Sequence, residues 1–235
     1  MFNSKYSKAL TVILVIAIVG IIGVLIFLGI DYYKKYTTTS DADSAISEFD
    51  GYINNIVANN QTNTDINTNT NNNVTPDIDE NTLIPDTNTQ TGGNNSNNSS
   101  NGLTYKGFEV VGKIEIPKTD VKLPVLGKVT PKSIEASVAV LYGPGINQVG
   151  NTVIIGHNFR NGTFFSNNKK LALGDKIYLT DMQGKKVTYT ITKKYTTGTD
   201  NFDYATRDTK GKREISLSTC TDDTKSRLII WAEED

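Results

Sequence analysis

Cysteine and histidine each occur once in this 235-residue sequence, as Cys220 and His157. Each closes a strand-like run just before the pattern breaks: NTVIIGHN carries His157 and REISLSTC ends on Cys220. Across the short segment 221–226, Arg227 opens the apolar run RLIIWA. These three side chains complement one another chemically. A thiolate is a strong nucleophile, and a nearby cation lowers a cysteine pKa from its ordinary value of about 8.5. An imidazole can hand a proton to a departing amine. A guanidinium keeps its charge and offers fixed donors to a developing oxyanion. Together they are the parts for acyl transfer through a thioester. The plain alternatives stand beside this reading. A lone cysteine is often a small buried hydrophobe, and an arginine at a strand edge often extends to solvent. Phase favours chemistry: along 214–220, Ile215, Leu217 and Thr219 share one face, while Ser216, Ser218 and Cys220 share the other. Cys220 is thus out of step with the apolar residues that would form a core.

The elements that must hold these residues are strands. In 109–116, Val110, Gly112, Ile114 and Ile116 alternate with Glu109, Lys113 and Glu115, and Val121, Leu123 and Val125 repeat the period of two. Thr130-Pro131 reads as a cap followed by proline at the first helical position, opening a short helix near 133–136. The continuous apolar run 152–156 suits a central strand. Segments 176–180 and 185–192 flank Asp181-Met182-Gln183-Gly184, a hairpin turn. With 214–220 and 227–232 the set comes to seven or eight short strands and one or two short helices. That pattern predicts an all-β domain over residues 102–235, a closed or nearly closed barrel.

The N-terminal part is different in kind. Residues 9–30 are apolar apart from Thr11 and three glycines. As a helix this run is about 33 Å long, enough for a hydrocarbon core of about 30 Å. No small-residue cleavage site follows it, so it reads as an uncleaved anchor rather than a signal peptide. Lys5 and Lys8 precede it, and Lys34 and Lys35 follow with Asp31 partly offsetting them. The balance places residues 1–8 in the cytoplasm and the remainder outside the cell. Residues 31–101 are dominated by Asn, Thr, Asp and Ser, and predict a disordered tether with a span of about 45 Å. Within it, apolar residues of 45–57 fall near helical spacing, the signature of a short juxtamembrane helix. A net charge of −1 argues against a nucleic-acid partner. One cysteine cannot close an intramolecular disulfide, and one cysteine with one histidine is a poor basis for a zinc site.

The constellation resembles the sortases, membrane-anchored cysteine transpeptidases of Gram-positive bacteria. The likeness lies in SLSTC with Cys220, VIIGHN with His157 and RLIIWA with Arg227. IEIPKTDVKLPVL and the LxxGDKIYLTD segment from Leu171 add to it. The resemblance implies an eight-stranded sortase barrel and a defined reaction. Cys220 would attack the Thr–Gly bond of an LPXTG-like sorting signal, His157 would protonate the departing glycine amine, and Arg227 would hold the signal and the oxyanion. Thr219 and Ser218 would contact the substrate. An amine on a cell-wall precursor would then release the thioester and attach a surface protein to the wall. No cofactor and no metal is implied, since Glu109, Glu115 and Asp175 do not form an evident cluster. The Asp-Pro-aromatic lid of class C enzymes is absent from the sequence, and the stretch before the cysteine strand is short for class B. The pattern is closest to a class D-like or class B-related enzyme. Two other readings remain at this point: a pilin-polymerising sortase, and a non-enzymatic membrane-tethered binding module of degenerate sortase fold. Papain-like and NlpC/P60-type peptidases place cysteine before histidine, the reverse of this order. L,D-transpeptidases carry an SxGC-type motif close to the histidine, unlike SLSTC.

Overall fold

Period-two alternation becomes strand throughout the C-terminal part of the chain. The computed structural model describes residues 4–64 and 102–235. After helix α1 (Ser4–Thr64) come β1 (Thr104–Tyr105), β2 (Phe108–Ile116), β3 (Val121–Leu126), α2 (Pro131–Ala136), β4 (Val138–Tyr142) and β5 (Gly150–Ile155). Then follow β6 (Lys176–Asp181), β7 (Lys186–Gly198), β8 (Arg213–Cys220) and β9 (Ser226–Glu234). Neighbours run β2-β3-β4-β5-β8-β9-β7-β6, and a β2–β6 pairing closes the ring. The result is the expected eight-stranded barrel, with the two-residue β1 added as a hairpin arm on β2. Closure leaves these strands no open edge. Two pairings are parallel, β3 with β4 and β5 with β8. The short helix α2 begins as its sequence suggests. Thr130 accepts from the Ser133 N–H at 3.0 Å, and Ser133 Oγ accepts from the Thr130 N–H at 2.7 Å, a reciprocal cap over Pro131.

The barrel interior is filled by Ile114, Ile116, Val125, Ile154, Leu179 and Leu217, all buried. The outer face of β8 is also covered. The β7–β8 connection lays the fully buried Tyr204 over it, against Val153 and Ile229. Asn151 Nδ2 fastens this connection by donating to the carbonyls of Tyr204 and Ala205 at 2.9 and 3.0 Å. Arg207 fastens it again, on Glu214 at 2.7 Å and Ser216 Oγ at 2.6 Å, with its guanidinium 4.3 Å from the centre of the Trp231 ring.

The expected tether over 31–101 differs in its first part. The chain stays helical through Thr64, so the short helix anticipated over 45–57 is one stretch of the 61-residue α1. Ala42, Ala45, Ile46 and Phe49 fall at i, i+3, i+4 and i+7 on that helix, and all four are buried. Ala45 and Phe49 fill a groove of Tyr105, Val110, Leu126 and Ala139. Lys113 Nζ reaches Asp50 at 2.5 Å, and Lys106 reaches Asp41 at 2.9 Å. The composition of this segment is polar overall, but one helical stripe is not, and the barrel supplies the partner for that stripe. The rest of the expected tether, 65–101, lies outside the described residues.

Burying Ile46 and Phe49 is worth about 1.5–3 kcal/mol each before the cost of ordering the helix. A piece covering 102–235 is therefore expected to be less stable than one covering 36–235 by about 3 kcal/mol, read from urea unfolding midpoints. Equal midpoints would show that the docked helix contributes nothing.

Candidate active site

Strand pairing brings the three candidate residues to one end of the barrel. β5 and β8 run parallel in a register that sets Ile155 opposite Ser218. The Gly156 N–H continues it by donating to the Ser218 carbonyl at 3.2 Å. His157 therefore leaves β5 beside the end of β8, where Cys220 stands. β8 and β9 form an antiparallel hairpin in which Cys220 and Arg227 are direct register partners. A tight turn fixes that register: the Thr221 N–H donates to the Ser226 carbonyl at 2.9 Å, and the Thr224 N–H to the Thr221 carbonyl at 2.9 Å.

The loop after His157 is held from below. A Cβ on Gly156 would fall 2.7 Å from Val138 Cγ1 and 2.8 Å from Phe165 Cδ2, so glycine alone lets Phe165 pack there. Fully buried Phe165 donates its N–H to the His157 carbonyl at 3.1 Å. The His157 ring lies 4.8 Å from Phe159, which in turn meets Phe164 at 5.5 Å. Nε2 of His157 is 3.3 Å from Glu135 Oε1, a contact that becomes an ion pair only when the ring carries its second proton.

Polar atoms without hydrogen-bond partners collect here. Among the described residues, His157 Nε2, Thr219 Oγ1 and Arg227 Nε are buried and make no hydrogen bond. Tyr105 Oη, both polar atoms of the Asn168 amide and Trp231 Nε1 are likewise buried without a hydrogen bond. Cys220 is partly exposed. Beside it opens a cavity of about 230 Å³, lined in part by Phe165, Thr196, Thr219 and Leu228.

Ser218 is not brought to this surface. It is fully buried, with Oγ 3.5 Å from the Tyr204 hydroxyl. The face that Ser216, Ser218 and Cys220 share is thus covered rather than open. Cys220 emerges because it lies at the strand end, beyond the reach of that cover. Thr219 points the other way, at 2 % exposure, and lines the cavity. Among the described residues no three His, Cys, Asp or Glu side chains converge as a metal site would require.

One positioning residue escaped the sequence reading. Asn158 Nδ2 donates to the Cys220 carbonyl at 3.0 Å and to Asp222 Oδ1 at 2.9 Å, tying the histidine loop to the β8–β9 turn. Lys169 holds the other Asp222 oxygen at 2.6 Å. Bonds from Lys169 and Asn158 keep the Asp222 carboxyl below the ordinary carboxylate range. The only hint in the sequence was position, a polar residue directly after the single histidine.

A sequence profile of the sortase domain matches residues 114–235, and the chain belongs to the sortase family. It is similar to sortase A of Bacillus anthracis, 32% identical over 125 residues that make up 52% of this chain and 58% of that one. It is also similar to sortase A of Listeria monocytogenes, 30% identical over 123 residues, 52% of this chain and 54% of that one. The match thus spans somewhat more than half the length of these relatives. Among solved structures, sortase A from Corynebacterium diphtheriae superimposes with a TM-score of 0.50 at 27% identity, covering 55% of this chain and 61% of that one. A Clostridium perfringens sortase D5 transpeptidase gives a TM-score of 0.50 at 25% identity, covering 54% and 79%.

Removing the Asn158 clamp leaves a partly buried acceptor and a turn without its tie. Asn158→Ala is expected to cost about 1–3 kcal/mol and to raise hydrogen exchange across 221–226. Lys169→Ala removes an exposed ion pair and is expected to cost less than about 1 kcal/mol. Paired unfolding and exchange measurements check this; equal effects would demote Asn158 to a surface contact.

Proposed function

We propose that this chain is a membrane-anchored cysteine transpeptidase that joins exported proteins to an amine through a thioester. The observation that supports the reading is that Cys220, Arg227 and His157 stand at the ends of paired strands on one rim of the barrel, in a chain of the sortase family. The similar Clostridium perfringens protein is described as a transpeptidase, which agrees with it. The substrate is an LPXTG-like C-terminal sorting signal, and the acceptor is an amine of a cell-wall precursor. The apolar stretch of α1 anchors the chain in the membrane, N-terminus in the cytoplasm and barrel outside. Within α1 the run is long and apolar enough to cross a bilayer.

In the first half-reaction, Cys220 Sγ bonds to the threonine carbonyl carbon, and the electron pair moves onto the carbonyl oxygen. Arg227, across the hairpin, donates to that oxyanion. The oxygen then returns its pair, the carbon–nitrogen bond to glycine breaks, and the glycine nitrogen takes a proton from protonated His157. In the second half-reaction, an amine attacks the thioester and gives its proton to neutral His157. Sγ leaves as thiolate, and a new amide bond remains. The mostly apolar cavity beside Cys220 suits an apolar side chain of the signal, with Thr219 in its wall.

Cys220→Ala is expected to abolish cleavage of a fluorescent LPXTG-like peptide without altering the unfolding midpoint by more than about 1 kcal/mol. Arg227→Ala is expected to lower the single-turnover acylation rate by about 10²–10³. Arg227→Lys keeps the charge but loses the forked donors, and should recover little of that loss. A lysine variant within a few-fold of wild type would reduce Arg227 to a general electrostatic aid, and residual cleavage by Cys220→Ala would remove the nucleophile assignment.

A further inference from the structure

The order of contacts along α1 reports which end of the barrel is nearest the membrane. Lys35, Thr38 and Ala42 border a groove of about 450 Å³ whose far wall includes Val121, Leu123 and Phe164. Val121 begins β3, and Phe164 belongs to the loop that follows His157. Further along the helix, Asp50 pairs with Lys113. Beyond it, Ile53 lies against the β6–β7 turn, 2.8 Å from where a Cβ on Gly184 would stand.

Strand directions give these contacts an axis. β3 is parallel to β4, β4 antiparallel to β5, and β5 parallel to β8. The start of β3 therefore shares an end of the barrel with the end of β8, and hence with Cys220, Arg227 and His157. The Asp181–Gly184 turn is at the opposite end. Lys35, Thr38 and Ala42 thus border the catalytic end and Ile53 reaches the other, while Asp41 between them pairs with Lys106 of the β1–β2 arm. From Ile30 to the Lys35–Ala42 contacts the helix rises about 10–20 Å.

We propose that docking of α1 holds the catalytic end of the barrel facing the lipid bilayer, so that the surface it works against is the membrane itself. The inference rests on the reading of α1 as the membrane anchor. It makes residues 31–64 a strut that aims the site, in place of a tether that lets the barrel roam. Peptide and amine would be taken at the bilayer surface, within a short distance set by the helix.

The sole cysteine allows a direct test that does not depend on activity. The full chain is labelled with a donor dye at Cys220 and incorporated into vesicles of phosphatidylcholine and phosphatidylglycerol carrying an acceptor-labelled lipid. A second sample carries the donor at the distal turn, as Gln183→Cys in a Cys220→Ala background. Energy transfer to the lipid is expected to be several-fold more efficient from position 220 than from position 183. Phe49→Asp, which breaks docking from the helix side, should erase most of that difference. Equal transfer in the wild-type chain, the reverse order, or a difference that survives Phe49→Asp would overturn the inference while leaving the transpeptidase reading intact. A chain that does not incorporate into vesicles would instead overturn the anchor reading and this inference with it.

Discussion

The parallel pairing of β5 with β8 is the constraint on which the site depends. His157 and Cys220 are far apart in sequence, and no local interaction draws them together. Parallel register does, because both strands end at the same rim. The β8–β9 hairpin then returns Arg227 opposite Cys220 at no further cost in loop length. Parallel strands need a long crossover, and here that crossover runs from the end of β5 through β6 and β7 to β8. It contributes two working parts on the way. The loop after His157 supplies Phe165 and Asn158, and the β7–β8 connection supplies the cover of Tyr204 and Arg207.

Three polar atoms of this rim make no hydrogen bond within the described residues. His157 Nε2, Thr219 Oγ1 and Arg227 Nε are such atoms, and each costs about 1–3 kcal/mol in a buried setting. The surroundings are correspondingly over-determined. Asn158 ties Cys220 to Asp222, Phe165 pins the histidine loop, and Asn151 and Arg207 each make several bonds to the connection over β8. These contacts keep the rim in one arrangement despite its open valences, which is what pre-organised catalysis requires.

Much of the barrel was legible because its signals are local. Alternation in β2 and β3, the Thr130-Pro131 cap and the Asp181–Gly184 turn each state their own geometry, and chain order with the family resemblance supplied the closure. The candidate site was legible in its reactive types, since one cysteine and one histidine leave little choice. Three things were not. Ser218 alternates in phase with Cys220, yet only the tertiary cover of Tyr204 decides that it is buried. The stripe Ala42, Ala45, Ile46 and Phe49 lies in a segment polar enough to read as tether, and its burial depends on a groove assembled from β1, β2, β3 and β4. Asn158 carries no signal apart from adjacency, because its partners, the Cys220 carbonyl and Asp222, come from the far end of the domain. In each case the deciding interaction is long-range, and a one-dimensional pattern holds no record of it.

The central claim is that Cys220 becomes covalently acylated by a sorting peptide. Mass spectrometry of the protein incubated with an LPXTG-like peptide, in the absence of an amine and quenched early, tests it most directly. The account predicts a mass increase equal to the peptide up to its threonine, mapped to the Cys220 fragment and released by hydroxylamine as a thioester is. An adduct on any other residue, or cleavage with no adduct under single-turnover conditions, would contradict it.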